Sequence, residues 1–153
     1  METKKPSVHE VLARSYSIYL IGVFIGLVVD YFYPVRVISN EVGSAVGLIL
    51  LVLGGILILW AQKTSSKLRG RPQPLQMIDF KKGPYSYTRQ PTNVGLIMLT
   101  LGFAFVENSL ILIVAVLISF TVSLKFIRKE ESILGERYGE IYLNYKKEVK
   151  RWF

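Results

Sequence analysis

Uncharged positions along this chain fall into long blocks separated by short polar segments. Residues 42–62 give twenty-one uncharged positions between Glu41 and Lys63. A helix of about twenty residues, rising 1.5 Å per residue, crosses a hydrocarbon core of roughly 30 Å. Residues 15–29 form a second block, closed by Asp30, Tyr31, Phe32, Tyr33 and Pro34, whose rings suit a membrane interface. Between Arg89 and Lys125 the only charge is Glu107. Glu107, Asn108 and Ser109 make a polar turn, so this stretch predicts two helices joined tightly over residues 93–127, the first arm ending near Val106. The expectation is an all-α polytopic membrane protein with four membrane helices. Bulky residues after Val29 offer no small-residue cleavage site, so the first block reads as an uncleaved anchor.

The polar segments carry their own patterns. Glu131, Leu134, Tyr138, Tyr142, Tyr145 and Val149 recur at three- and four-residue intervals, while Lys129, Glu136, Arg137, Glu140, Lys147 and Glu148 largely occupy other faces. This predicts an amphipathic C-terminal helix over 128–153, with Trp152 and Phe153 as interface anchors. In the middle loop, Pro72, Pro74, Gly83 and Pro84 keep residues 70–84 out of helix, and Pro91 restrains Gln90 toward an extended shape. One membrane domain, 1–153, therefore divides into two scaffold helices (1–62), a loop with a polar turn (63–92), a helical hairpin (93–127) and the C-terminal helix. Gly22 and Gly26 on the first helix, and Gly43 and Gly47 on the second, form small-residue faces for packing on each other or for a dimer contact. Asp30, near the end of the first helix, reads as a capping or snorkelling charge.

Composition sharpens this picture. Hydrophobic residues make up 51% of 153, and the net charge is +8. Three basic residues precede the first helix (Lys4, Lys5, Arg14), seven lie between helices two and three, eight follow from Lys125 onward, and Arg36 stands apart. Basic loops stay on the cytoplasmic side, so both termini and the middle loop are expected there, in a prokaryotic plasma membrane or an endoplasmic-reticulum membrane. That asymmetry accounts for the charge without nucleic acid, and attraction to anionic membrane lipids comes with it. There is no cysteine and one histidine, His9. Thiol nucleophiles, serine-histidine triads and multi-histidine metal sites are thereby excluded, and no metal is expected. Chemistry must come from carboxylates, arginines, tyrosines, amides and a bound cofactor.

Two stretches concentrate such groups. In GPYSYTRQPTNVG, residues 83–95, Tyr85 and Tyr87 offer rings on which a purine can stack, and Arg89 offers a cation for a carboxylate. On composition alone the first reading is that the tyrosines form an interfacial belt and Arg89 a topology signal. In EESILGERYGEIYLNYKKEV, residues 130–149, Glu130 and Glu131 stand where the last membrane helix ends, able to receive an ammonium or to form a local salt-bridge cluster.

Together, in order around an apolar hairpin, these blocks resemble the core of the isoprenylcysteine carboxyl methyltransferase family: GPY-x-Y-x-RHP-x-Y-x-G, then EE-x-x-L-x-x-x-FG-x-x-Y-x-x-Y-x-x-x-V. The matching residues are Gly83, Pro84, Tyr85, Tyr87, Arg89, Pro91 and Gly95, then Glu130, Glu131, Leu134, Tyr138, Gly139, Tyr142, Tyr145 and Val149. The resemblance implies a membrane methyltransferase whose hairpin, turn and C-terminal helix enclose S-adenosylmethionine at the cytoplasmic surface, with a lipid-like or lipidated acceptor entering from the bilayer. It implies cofactor contacts from Tyr85, Tyr87, Arg89, Gln90, Pro91, Gly95, Glu131, Tyr138 and Tyr142, and catalytic roles for Arg89, Glu130 and Glu131. Two positions depart from the pattern: the family's histidine is Gln90 and its tyrosine is Asn93. An amide can donate and accept hydrogen bonds but cannot shuttle a proton, which tilts the expectation toward carboxylate or thiol-type acceptors. Alternatives are a phospholipid amine N-methyltransferase, or an inactive relative or membrane scaffold that binds lipid or cofactor only.

Overall fold

The computed structural model describes residues 8–37, 39–69 and 76–152, with side chains from Tyr16 onward except at residues 68 and 69. Lys4, Lys5, Pro72, Pro74 and Phe153, invoked above, lie outside the described residues. Among the described residues six α-helices follow in order: α1 (Val8–Phe32), α2 (Asn40–Arg69), a single turn α3 (Met77–Phe80), α4 (Pro91–Val106), α5 (Leu110–Tyr138) and α6 (Glu140–Glu148), with a 3-10 turn at Gly83–Ser86. Among the described residues the only extended pairing is one bridge between Arg36 and Ser109. Two helical stretches, Asn40–Lys67 and Leu110–Tyr138, are long and apolar enough to cross a membrane, and Tyr16–Phe32 and Pro91–Val106 are shorter apolar helices.

The helices pack as two pairs, α1 along α5 and α2 along α4, and the small residues set both approaches. A Cβ on Gly47 would lie 2.6 Å from Gly102 O, and one on Gly54 would lie 2.7 Å from Gly95 O, so α2 and α4 meet backbone to backbone. A Cβ on Gly22 would run into Ser119 Oγ of α5. The glycine faces of α1 and α2 are thus directed at α5 and α4. Van der Waals packing of this kind holds helices together where the surroundings are as apolar as the side chains.

The α4–α5 hairpin turns on Glu107, Asn108 and Ser109, as the polar break predicts. Asn108 takes a positive φ of 52°, and Ser109 Oγ caps α5 by accepting from Leu112 N at 3.1 Å. A polar clasp surrounds this turn. Arg36 Nη1 donates to Glu107 O at 2.9 Å, Ser109 Oγ donates to Asp30 Oδ1, and Asn108 Nδ2 donates to Asn40 Oδ1 at 2.8 Å. Asp30 therefore joins the end of α1 to the hairpin.

The C-terminal stretch divides differently from the single helix expected over 128–153. The fourth apolar helix does not stop near 127 but runs on unbroken to Tyr138. Gly139, at φ +57°, breaks it, and α6 follows to Glu148. Residues 149–152 leave helix altogether. The tyrosine stripe is core rather than a face on headgroups: Tyr142, Tyr145 and Val149 are buried against Met77, Phe80, Leu134 and Tyr138. Phe80 of α3 meets Tyr138, Tyr142 and Tyr145 at centroid distances of 5.1, 5.8 and 5.7 Å. Aromatic contacts of this kind, and the Lys81–Glu148 ion pair, hold α3 against α6.

Candidate functional site

At the end of α5 opposite the hairpin turn, four segments converge: residues 83–90, the start of α4, the polar end of α5 and the extended residues after α6. The 3-10 turn is seated by Gly83, whose φ is +57° and where a Cβ would lie 2.6 Å from Thr64 Oγ1 of α2. Beyond it the chain is stitched to the C-terminal segment. Arg89 N donates to Lys150 O at 3.1 Å, and Thr88 Oγ1 donates to Arg151 O at 2.6 Å. Thr88 Oγ1 also accepts from Gln90 N at 3.2 Å. Pro91 then opens α4, where its missing N–H is no loss.

This stitching places three cations around one carboxylate. Glu131, 2% exposed, accepts two hydrogen bonds from Arg151, Nε to Oε1 at 3.0 Å and Nη2 to Oε2 at 2.9 Å. Arg89 Nη2 lies 3.6 Å from Oε1 and Lys146 Nζ 3.4 Å from Oε2. A two-point guanidinium–carboxylate pair fixes both orientation and charge. Arg89 itself has a side chain only 8% exposed, yet its Nε and Nη1 have no hydrogen-bond partner. Burying such donors unsatisfied costs about 1–3 kcal/mol or more for a charged group.

Beside this cluster lies a second carboxylate in a different state. Glu130 is buried, and its Oε2 has no partner. Its other contact is with the Gln90 side chain. Gln90 Oε1 accepts from Asn93 Nδ2 at 2.8 Å, so the Gln90 amide nitrogen is the end turned to Glu130. An open buried donor set on Arg89 and an open buried acceptor on Glu130 thus sit in one polar cluster, inside a shell of apolar and aromatic side chains.

The aromatic wall of the cluster is α6. Burial, chiefly, raises the Tyr142 and Tyr145 phenols above the ordinary tyrosine range, with the Glu131 charge adding to the effect at Tyr142 and Tyr142 adding to it at Tyr145. Both stay neutral donors, and Tyr145 Oη donates to Tyr85 O at 2.8 Å. Arg151 is held cationic first by its hydrogen bonds to Glu131.

Of the residues singled out in the sequence, Arg89, Gln90, Glu130, Glu131 and Tyr142 come together here, with Pro91 as the buried start of α4. Tyr85 is half-buried at the turn. Tyr87 is 66% exposed. Gly95 lies in the α2–α4 contact, where a Cβ would meet Ile58 Cγ1 at 2.6 Å, and Tyr138 packs on Phe80 with the Arg137 guanidinium 5.4 Å over its ring. Arg151, Lys146 and Thr88 belong to the cluster although the sequence reading passed over them. The only signal for the first two was their sign, which the topology of basic loops had already absorbed.

A family model described as phospholipid methyltransferase matches residues 42–141, about two thirds of the chain. The matched span covers α2, the turn, the α4–α5 hairpin and the polar end of α5, and stops short of Tyr142, Tyr145, Lys146 and Arg151. No curated protein and no solved structure matches the chain significantly.

Proposed function

The chain belongs to the phospholipid methyltransferase family, and from that premise we propose that it transfers a methyl group from S-adenosylmethionine to the nitrogen-bearing headgroup of a membrane lipid. The observation that carries this reading is the buried guanidinium of Arg89 with two nitrogens open, in the same cluster as a buried carboxylate oxygen of Glu130 that is also open. Open donors and an open acceptor in one cluster suit the carboxylate of an amino-acid moiety and an amine.

The residues present fit the cofactor. Arg89 Nε and Nη1 would hold its carboxylate, Glu131 with Arg151 and Lys146 would keep Arg89 in place, and the Tyr85 ring would border the purine. When bound, S-adenosylmethionine supplies an electrophilic methyl group on a sulfonium. The protein's own part is then to place the acceptor nitrogen in line with that methyl and to take up the proton an ammonium must lose before its lone pair is free. Glu130 is the base for that proton, because the amide of Gln90 beside it cannot accept one. Its carboxylate is held by the Gln90 amide on one side and left open on the other.

We read the membrane arrangement as four spans. α2 and α5 cross by themselves, and α1 and α4 cross packed along them. The basic residues flanking Arg89 and following Lys125 put the site and both termini on the cytoplasmic side. The polytopic unit is one domain, with α1 and α2 as scaffold around the hairpin.

A second acceptor class is favoured by Gln90 specifically. A prenylated carboxylate is ionised at pH 7 and needs no base, so an amide in place of the family's imidazole suits it. The two readings separate in one experiment. Detergent-purified protein is titrated with S-adenosylmethionine and S-adenosylhomocysteine, then supplied with vesicles of phosphatidylethanolamine or with a prenylcysteine. Saturable binding weakened at least tenfold by Arg89→Gln, together with N-methylated lipid, is the expected result. Methyl ester formation on the prenylcysteine would establish the second reading instead, and normal binding by Arg89→Gln would remove the cofactor site.

A further inference from the structure

The α1–α5 pair has a regular register that can be read from one end to the other. Asp30 meets Ser109 through a hydrogen bond. One turn back along α1, Gly26 faces Leu112 and Ala115 of α5, and next Gly22 faces Ser119. Tyr19 Oη then lies 3.2 Å from Ser123 Oγ, a contact buried inside the pair. Each step of three or four residues down α1 is matched by a similar step up α5, as antiparallel helices require. The next α1 residue on this stripe is Tyr16. By the same register it stands level with Ile127, and Glu130 lies one turn beyond on the same buried face of α5.

Side chains on a helix lean toward its N-terminus. Leaning that way, the ring of Tyr16 points along α5 toward Glu130 rather than back toward Ser123. Tyr16 is half-buried, and its phenol is within electrostatic reach of both Tyr85 and Glu130. Those residues come from the turn and from α5, so Tyr16 brings α1 within electrostatic reach of the candidate site. It also lies outside the span that the family model matches, residues 42–141.

We propose that Tyr16 is a specificity-determining residue of the site: from the N-terminal helix, its hydroxyl hydrogen-bonds the nitrogen-bearing lipid headgroup on the side opposite the open oxygen of Glu130. A neutral phenol can donate to a headgroup oxygen or accept from an amine, and its ring face adds attraction for a cationic nitrogen. Paired with a buried carboxylate, such a group discriminates headgroups that carry N–H bonds from those that are fully methylated. The proposal deepens the reading of the site as one that methylates a lipid amine, and rests on it.

The test uses the full chain in lipid discs. Tyr16→Phe keeps the ring and removes the hydroxyl, and Tyr19→Phe, which breaks the neighbouring contact to Ser123, serves as the control for helix packing. Tyr16→Phe is expected to raise KM for phosphatidylethanolamine about tenfold, as the loss of one hydrogen bond would. S-adenosylmethionine affinity, measured by titration without turnover, is expected to be unchanged, and Tyr19→Phe is expected to leave KM alone. Unchanged KM in Tyr16→Phe overturns the proposal, and so does an equal rise in Tyr19→Phe. Weakened cofactor affinity in Tyr16→Phe overturns it as well, by assigning the residue to the other ligand.

A second readout does not depend on turnover. The fluorine resonance of 3-fluorotyrosine at position 16 is expected to move on Glu130→Gln, and to move when phosphatidylethanolamine replaces phosphatidylcholine in the discs. A resonance indifferent to the lipid overturns the proposal whatever the activity. A responsive resonance in a protein that methylates no amine supports Tyr16 as the headgroup contact and counts against amine methylation, so the two ideas fail separately.

Discussion

The side-chain amides of Gln90 and Asn93 are hydrogen-bonded to each other, Asn93 Nδ2 donating to Gln90 Oε1 at 2.8 Å. These are the two positions at which the sequence departs from the histidine and tyrosine of the motif it resembles, and both are buried. They act as one substitution. Asn93 occupies the carbonyl end of Gln90, which leaves the amide nitrogen for Glu130 and fixes which way a side chain that could flip is turned.

Asn93→Ala should therefore lose more than a local bond. It leaves the Gln90 carbonyl oxygen buried without its partner, a cost of about 1–3 kcal/mol, and frees Gln90 to rotate away from Glu130. We expect lower thermal stability in detergent and reduced methyl transfer. A double-mutant cycle with Gln90→Ala should give a coupling of about 0.5–3 kcal/mol; strictly additive effects would show that the pair does not act as a unit.

Arg151 is the cation that holds both oxygens of Glu131, and its side chain is 27% exposed. Its backbone carbonyl stays bonded to Thr88 Oγ1 whatever the side chain, so the chain path should survive Arg151→Leu. Without the two-point bond, Glu131 keeps only the longer contacts to Arg89 and Lys146, and the guanidinium of Arg89 loses its fixed position. S-adenosylmethionine affinity should fall about tenfold, with Arg151→Lys intermediate because it keeps the charge but not the fork. Calorimetric titration checks this, and an affinity in Arg151→Leu equal to that of the unaltered protein would contradict it.

Alkaline pH should loosen the aromatic wall before it affects the helix pairs. Burial raises the Tyr142 and Tyr145 phenols above the ordinary value of 10.0. The folded protein therefore holds these protons more tightly than the unfolded chain does. Their contribution is complete below the ordinary value and is lost as the pH rises above it toward the folded values. Thermal melts across this range check it, and Tyr142→Phe should flatten the loss of stability above pH 10.

Much of this fold could be read from the chain because its pattern is written for an apolar surrounding. Uncharged runs gave the helices, and Glu107, Asn108 and Ser109 gave the turn between α4 and α5. Arg89, Glu130 and Glu131 stood out by position, as charges at the ends of apolar runs. What could not be read was partnership. Gly22 and Gly47 announced close helix approach but not that α5 and α4 would be the neighbours, since a small residue specifies a distance and not a partner. Gly95 looked like part of a site because it closes a motif, whereas the structure uses it for contact with Ile58. Gly139 was counted as one more helical position, yet its positive φ ends α5 and starts a separate helix. Arg151 lies twenty residues beyond Glu131 and shares no periodicity with it.

The bonds from Arg89 N to Lys150 O and from Thr88 Oγ1 to Arg151 O have a consequence for biogenesis. They join the turn that precedes the hairpin to residues that leave the ribosome some sixty positions later. A nascent chain that has completed α1, α2, α4 and α5 lacks the extended segment that pins Arg89 and the cation that grips Glu131. Such an intermediate has its helix pairs without the closed polar cluster. The cluster is completed in one late step, after every long helix has been made, so a chain stalled or clipped ahead of residue 149 should pack its helices and yet fail to bind S-adenosylmethionine.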